Sequence, residues 1–373
     1  DLCNKTGYLR IYSAIISATI AQHTNNEYNE YEVIIMAITI KDIAKKAGVS
    51  PSTVSRTINN HYSISEETKE KVRKVMDELG YVYDKSHIKK HDVGVVFPRS
   101  MVDVYENPFY LEIVRGISYM CNKGRYSLHI ITGADTREMK TSMEIADCEG
   151  YIFLNTKIES SVTDYLRERM IPYIMIGKPP MDSITSVSVD TDNIQAGYEA
   201  VKYLLKKGHQ KIGYIGEKKE AQYSTDRRLG YIQALSEAGY EVKEDYIKNL
   251  SSSYSYNPNE ILELLRSDAC PSAFVVCDDI YAVIMVRLIT EIGKKVPDDI
   301  SIVSFNNSIF ARFSEPPLTS IDVSPNQLGM ESVVQLIKHI ETPTMFATRS
   351  IVPFTIRKRQ SVKELNKGAV TGK

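Results

Sequence analysis

From Asp92 to residue 360 the apolar positions of the chain follow two alternating rhythms. Short, nearly continuous runs rich in β-branched and aromatic residues, VGVVFP, YSLHIITG, GYIFLN, IPYIMIG, SVSVD, KIGYIG, SAFVVCD, ISIVSF and SIVPFTIRK, are separated by longer stretches with apolar residues every three or four positions. A run that is apolar at every position predicts a strand covered on both faces, and strands alternating with helices predict parallel sheets. Residues 92–360 therefore read as an α/β core of two doubly wound parallel-sheet lobes. Ligands of such folds lie at the carboxyl ends of the strands, here in the cleft between the lobes.

Before Asp92 the rhythm is purely helical. In TIKDIAKKAGVSPSTVSRTINN, Thr39 to Asn60, Thr39 is a first-helix cap whose hydroxyl is expected to accept a first-turn N–H, and Ile40, Ile43, Ala44 and Ala47 form one apolar face. Gly48 suits the positive φ of a sharp helix end, and Val49 is an apolar plug between crossing helices. Ser50 caps a second helix with Pro51 at its first position. There Val54 and Ile58 face inward, while Pro51, Ser52, Ser55 and Arg56 carry short or charged groups on the other faces. Two capped helices joined by a short Gly-containing turn fit a helix-turn-helix, whose second helix enters the major groove; an ordinary helical hairpin is the alternative. A third helix begins at Ser65, turns Val72, Val75, Met76 and Leu79 inward, and ends at Gly80.

Charge sharpens the contrast between the two parts. Residues 38–90 hold 11 Lys and Arg against 7 Asp and Glu, whereas the whole chain is −1. A basic head suits phosphate contact. The 373 residues, 43 % of them hydrophobic, are ample for a head and a large body. Five scattered cysteines without metal-ligand spacing, and seven histidines that form no cluster with them, fit a reduced cytoplasm and no metal site. No apolar run reaches the roughly 20 residues that span a bilayer. GxxxxGK[ST], HExxH and GxSxG are all absent, and no pair of carboxylates is singled out, which argues against an enzyme.

AxxAGVSxxTVSRxxN at Ala44 to Asn59, followed by SxxTxxKVxxxxxELGY at Ser65 to Tyr81, resembles the lactose/galactose repressor (LacI/GalR) family, and the resemblance extends over about residues 38–360. It implies a periplasmic-binding-protein-like core behind a small all-α head. It also implies a sequence-specific repressor that binds double-stranded operator DNA as a homodimer, governed by a small sugar, with no cofactor and no membrane partner. The implied division is 1–35 as an upstream extension preceding a start at Met36, 36–82 as the head, 83–91 as a linker, 92–360 as the core and 361–373 as a tail. The family alignment puts Pro51, Ser52 and Arg56 at base edges and Thr39, Ser50, Thr53, Ser55 and Asn59 nearer phosphates.

The resemblance also picks out six effector positions. Phe109 and Tyr110 stand in the family's loop after the first strand, where two rings can stack on a sugar or else tether a helix to the core. Asp190, in SVDTDN, is either an acceptor for sugar hydroxyls or a helix cap. Arg227, three before Gly230 in RRLGYIQAL, aligns with the arginine that reaches the effector, with Arg228 beside it as a surface residue. Asp278 is expected to face the cleft and Asp279 to cap the helix. Asn306 replaces the aspartate of a GYDD-type pattern, which favours a neutral polyol over a cationic ligand. Gly208-His209 reads as a helix-to-strand turn with a locally bonded imidazole. The NPFY loop, the Phe-Asn-Asn variant and PPLTSIDVSPNQLG are similar to the maltose-operon repressor branch.

The resemblance fails at the linker. VYDKSHIKKHDVGVV lacks the family's Pro-Asn, Ala-Arg and wedging Leu and is shorter, leaving either Ile88 as a wedge between lysines or a plain basic linker. A catabolite-control regulator docking a phosphorylated carrier protein is the rival within the family, and a sugar-acting enzyme or transport protein the rival outside it.

Overall fold

The computed structural model describes residues 38–58, 64–81, 91–97, 107–133, 135–154, 158–179, 187–217, 221–250, 258–342 and 347–365. The expectations for residues 1–35, for Asn59, for most of the linker and for most of the tail lie outside the described residues. The chain forms two compact units, residues 1–87 and 88–373.

Among its described residues the first unit holds three helices that form a head, α1 (Ile40–Ala47), α2 (Pro51–Ile58) and α3 (Glu66–Leu79). Ile43, Ala44, Ala47, Val54, Val72 and Val75 are buried together, with Val49 and Ile58 packed against them. Gly48 and Gly80 end α1 and α3 with φ of 67° and 64°, the left-handed turn that a Cβ resists. The Ser50 and Ser65 hydroxyl oxygens accept from the Thr53 and Thr68 N–H groups. Thr39 caps α1 as expected, in a reciprocal capping box with Asp42. Thr39 donates its hydroxyl to Asp42 at 2.6 Å, and Asp42 also accepts from the Thr39 N–H at 2.9 Å. The hydroxyl donates to this carboxylate and keeps its lone pairs for the first-turn N–H.

The second unit is built from β1 (Asp92–Val96), α4 (Pro108–Gly124), β2 (Ser127–Ile131), α5 (Thr136–Ala146), β3 (Gly150–Leu154), α6 (Ser160–Glu168), β4 (Tyr173–Ile176), β5 (Val187–Asp190), α7 (Asn193–Lys206), β6 (Ile212–Glu217) and α8 (Gln222–Glu237). It continues through β7 (Ile247–Leu250), α9 (Asn259–Arg266), β8 (Ala273–Val276), α10 (Asp279–Glu291), β9 (Ser301–Phe305), α11 (Ile309–Phe313), β10 (Thr319–Asp322), α12 (Pro325–Glu341), β11 (Arg349–Ile351) and β12 (Thr355–Arg357). Two six-stranded sheets result, ordered β11-β5-β4-β3-β1-β2 and β12-β10-β9-β8-β6-β7. Strands β1, β3, β8 and β9 are buried at every residue, as their unbroken apolar runs require.

Two expectations need correction. SIVPFTIRK is two strands, not one: β11 joins the first sheet beside β5, Pro353 follows, and β12 joins the second sheet. That last strand runs antiparallel to β10, so the second sheet is not wholly parallel. A proline has no N–H for a ladder, and the break lets the chain change sheets there.

The chain passes between lobes three times, at residues 190–193, 323–325 and 352–355. The first and third passages are tied where Val352 N–H donates to the Asp190 carbonyl at 2.8 Å and the Thr191 hydroxyl to the Val352 carbonyl at 2.9 Å. Each lobe also has a helix pair in backbone contact. Gly116 of α4 lies on the Asn326 carbonyl and Gly329 of α12 on the Ile113 carbonyl; in the other lobe Gly197 of α7 lies on the Arg227 carbonyl and Gly230 of α8 on that of Ile194. Any side chain at these four positions would collide with the opposite backbone. These crossings fix where α4, α7 and α8 begin, and all three begin at the cleft.

Candidate functional site

In the head, Pro51 occupies the first position of α2 with Ser52 and Arg56 beyond it, and all three are exposed. Thr39 and Ser50 are exposed, and Thr53 and Ser55 are half-buried. Ser50 Oγ lies 2.7 Å from Ser52 Oγ and 2.8 Å from Thr53 Oγ1, so the three hydroxyls form one cluster at the start of α2. The arrangement presents a helix N-terminus with short polar groups and one guanidinium, the pieces used for major-groove reading.

In the core, Phe109, Tyr110, Asp190, Arg227, Asp278 and Asn306 all line one cleft between the lobes. They come from five separate elements. The Asn107 side chain caps α4 by accepting from Phe109 N–H at 3.0 Å, which sets both rings at a helix start, 5.5 Å apart and edge to face. Phe109 packs against the apolar cores of both lobes, so stacking and tethering are compatible roles for it.

Arg227 is 3 % exposed, and two of its five N–H groups bond to protein. Its Nε donates to Asn193 Oδ1 at 2.9 Å and one terminal nitrogen to the Cys277 carbonyl at 2.5 Å. Phe305 and Tyr223 lie against its guanidinium, 4.3 and 5.1 Å from the ring centroids. Tyr223 sits one turn before Arg227 on α8 and donates its hydroxyl to Glu217. Sequence reasoning missed Tyr223 and Asn107, although a spacing of four from Arg227 on one helix puts Tyr223 on the same face.

The carboxylates divide the work differently from expectation. Asp278, not Asp279, caps α10, accepting from Ile280 N–H at 2.8 Å while also facing the cleft. Asp279 is fully buried and accepts from the Ser304 and Ser320 hydroxyls and the Ser308 N–H, so it pins the segment after β9. Asp190 does not cap α7; Asp192 does, and Asp190 accepts from Thr191 N–H and Asn193 Nδ2. Burial pushes Asp190 up to about 6 against the opposing Thr191 N–H and Arg227 charge. Burial, with Asp279 alongside, pushes Asp278 up to about 7. Asn306 donates from Nδ2 to Asp278 at 2.7 Å and leaves its buried Oδ1 without a partner. It also has φ of 93°, a strained conformation of the kind found at ligand sites.

Elsewhere, His209 bonds to Ser272 and to the Lys363 carbonyl, tying the end of α7 to distant segments rather than only its own turn. Among the described residues no group of His, Cys, Asp and Glu is arranged to hold a metal, the four cysteines are free, and no helix is long and apolar enough to cross a membrane.

A helix-turn-helix head in one chain with a two-lobed, cleft-bearing core is the architecture of a DNA-binding transcriptional regulator with a periplasmic-binding-protein-like domain. Residues 39–84 match the lacI family of bacterial regulatory proteins and 201–362 the periplasmic binding protein-like domain. Over 345 residues the chain is 31 % identical to the HTH-type transcriptional regulator MalR of Streptococcus pneumoniae, covering 86 % of this chain and 99 % of that protein. It is 28 % identical to catabolite control protein A of Priestia megaterium, over 88 % of this chain and all of that one. A solved transcriptional regulator CelR–cellobiose complex superposes with a TM-score of 0.68 at 26 % identity, covering 87 % of this chain and 99 % of that one. The chain belongs to the LacI family of DNA-binding transcriptional regulators, and its relatives are regulators, not enzymes.

Proposed function

We propose that the protein is a cytoplasmic, homodimeric repressor of a maltose or maltodextrin utilisation operon, controlled by a sugar bound between its lobes. The observation that carries this reading is the polarity of the cleft. Among the described residues it offers acceptors in Asp190, Asp278 and the unpartnered Asn306 oxygen, beside the guanidinium of Arg227, two of whose five N–H groups bond to protein. A ligand that donates many hydrogen bonds and carries no negative charge suits such a wall, with Phe109, Tyr110 and Tyr223 available to apolar ring faces. A sugar has these properties. Similarity to MalR supports the choice of maltose, and the relative solved with cellobiose supports a disaccharide. In the head, Arg56 with Pro51 and Ser52 reads bases, and Thr39, Ser50, Thr53 and Ser55 hold phosphates.

The test is binding to the chain's own upstream promoter DNA at fixed salt, with and without maltose, maltotriose and cellobiose. Specific binding altered by a maltodextrin supports the reading. Similarity to catabolite control protein A favours one second reading, regulation by a phosphorylated carrier protein. Specific DNA binding that ignores every sugar and tightens with such a carrier would replace the first reading with that one.

A further inference from the structure

Asn306 and Asn307 follow β9 as two consecutive non-glycine residues at positive φ, 93° and 49°. Such backbone persists only where its surroundings hold it. Asp279 supplies part of the hold, but its bonds go to Ser304, Ser308 and Ser320 and not to the Asn307 side chain. That side chain is taken at both ends by the strand pair beside it. Asn307 Nδ2 donates to Asp322 of β10 at 3.0 Å, and Asn307 Oδ1 accepts from Arg359, two residues past β12, at 2.5 Å. The Asn307 N–H donates to Ser320 Oγ at 3.0 Å.

Strand register explains why this grip comes from so late in the chain. Ser320 lies opposite Arg357 in the antiparallel ladder of β10 and β12, so Ser320, Asp322 and Arg357 share one face, and Arg359 continues it. Arg357 donates to the same Asp322 oxygen that receives Asn307, at 3.1 Å. Arg359 is anchored apart from Asn307: its N–H donates to Thr319 Oγ1 at 2.9 Å, and its other terminal nitrogen to the Leu318 carbonyl at 2.7 Å. Two residues on, the fully buried Ser361 accepts from Thr319 N–H and donates to the Ile302 carbonyl. The guanidinium is thus fixed to the sheet, and Asn307 is what it holds. Arg359 does not line the cleft, whereas Asn306 does, with its buried Oδ1 unpartnered.

We propose that Arg359 is a positioning residue for the effector: by clamping Asn307 it holds the strained Asn306 backbone and so aims the Asn306 oxygen at a ligand that Arg359 never touches. The proposal rests on the sugar-binding reading above. A sugar hydroxyl donating to that oxygen gains most when the oxygen is already in place, because the turn has been ordered before binding. Releasing Asn307 moves that ordering cost into the binding step and weakens affinity.

The experiment uses the full-length protein with Arg359→Met, Asn306→Gly and the two together, and calorimetry with maltose and maltotriose. Glycine adopts a φ of 93° readily and removes the oxygen, so in that background Arg359 has nothing left to aim. Arg359→Met is expected to weaken sugar binding about three- to tenfold alone and less than about twofold in the Asn306→Gly background. Arg359→Lys keeps the charge and the stem but not the fork; made in the same two backgrounds, it carries the comparison if Arg359→Met does not fold. An equal loss in both backgrounds makes Arg359 a structural residue only, and unchanged affinity in both Arg359 variants removes it from the site; either result overturns the proposal. Absence of sugar binding by the wild-type protein refutes the sugar reading instead. Hydrogen exchange over residues 305–309 without sugar then decides the clamp: exchange about threefold faster or more in the Arg359 variants, with the rest of the lobe unchanged, supports it, and unchanged exchange overturns it.

Discussion

Replacing Asp278 with asparagine is expected to stabilise the protein while weakening its effector site. Asp278 is 5 % exposed and its carboxyl is raised from 3.8 to about 7 by burial and by Asp279. The folded acid keeps its proton to higher pH than the unfolded one. Folding stability is therefore lost as pH rises from about 4 to about 7. If the whole displacement is realised, the loss reaches about 4 kcal/mol at pH 8. An amide of the same shape has no charge to desolvate. Its oxygen still accepts from Ile280 N–H, and its new N–H group faces Asn306, whose side chain can turn over to accept with the oxygen that now has no partner. Arg227 loses some balancing charge, so the net gain is expected at about 2–3 kcal/mol at pH 8 and less than half of that at pH 5. Urea denaturation followed by circular dichroism at the two pH values measures it. Hydroxyls that bond the carboxylate favour its charged form, so wild-type sugar affinity should rise between pH 6 and 8. The variant should lose that rise and bind about 10- to 100-fold more weakly, the scale of one hydrogen bond to a charged acceptor. An equal gain at both pH values, or destabilisation at pH 8, would refute the account of Asp278 as a buried charge.

Three further outcomes follow from the geometry. Arg56→Ala should cost about 1–3 kcal/mol in operator binding and relax the preference at one base position in a binding-site selection; equal loss on every sequence would make Arg56 a phosphate contact. Arg227→Lys cannot reproduce the bonds to Asn193 and Cys277 or the flat contacts with Phe305 and Tyr223, so calorimetry should show at least tenfold weaker sugar binding, about 1.5 kcal/mol or more. In Gly230→Ala the added methyl meets the Ile194 carbonyl oxygen and the Tyr198 nitrogen, so urea unfolding should show a loss of about 1–3 kcal/mol, and a neutral result would mean that α7 and α8 part freely.

The fully buried strands were the readable part of the fold, because a strand covered on both faces has no polar positions to disguise it. Thr319 and Ser320 in β10 are entirely buried yet polar, their hydroxyls accepting Arg359 N–H and donating to Asp279, so the alternation that marks a strand was hidden. Strand β7, with Lys248 and Asn249 in four residues, lies at a sheet edge where apolar periodicity is weak. In the cleft, motif positions located Arg227, Asp278 and Asn306. They gave the cap of α10 to Asp279 and not to Asp278, because which of two adjacent carboxylates caps a helix depends on the φ and ψ with which the strand ends. Tyr223 lay just beyond the motif that drew attention to its helix.

Three passages between lobes mean that neither lobe is a contiguous stretch of chain. The first lobe needs α12 and β11, which lie more than a hundred residues after β5 and supply Leu328, Val333 and Leu336 to its core. During synthesis that lobe stays incomplete until nearly the whole chain has left the ribosome, with Ile113 and Ile117 lacking the helix that covers them. A fragment ending after β10 would expose that apolar face and aggregate, so cutting the chain in half cannot yield two working lobes.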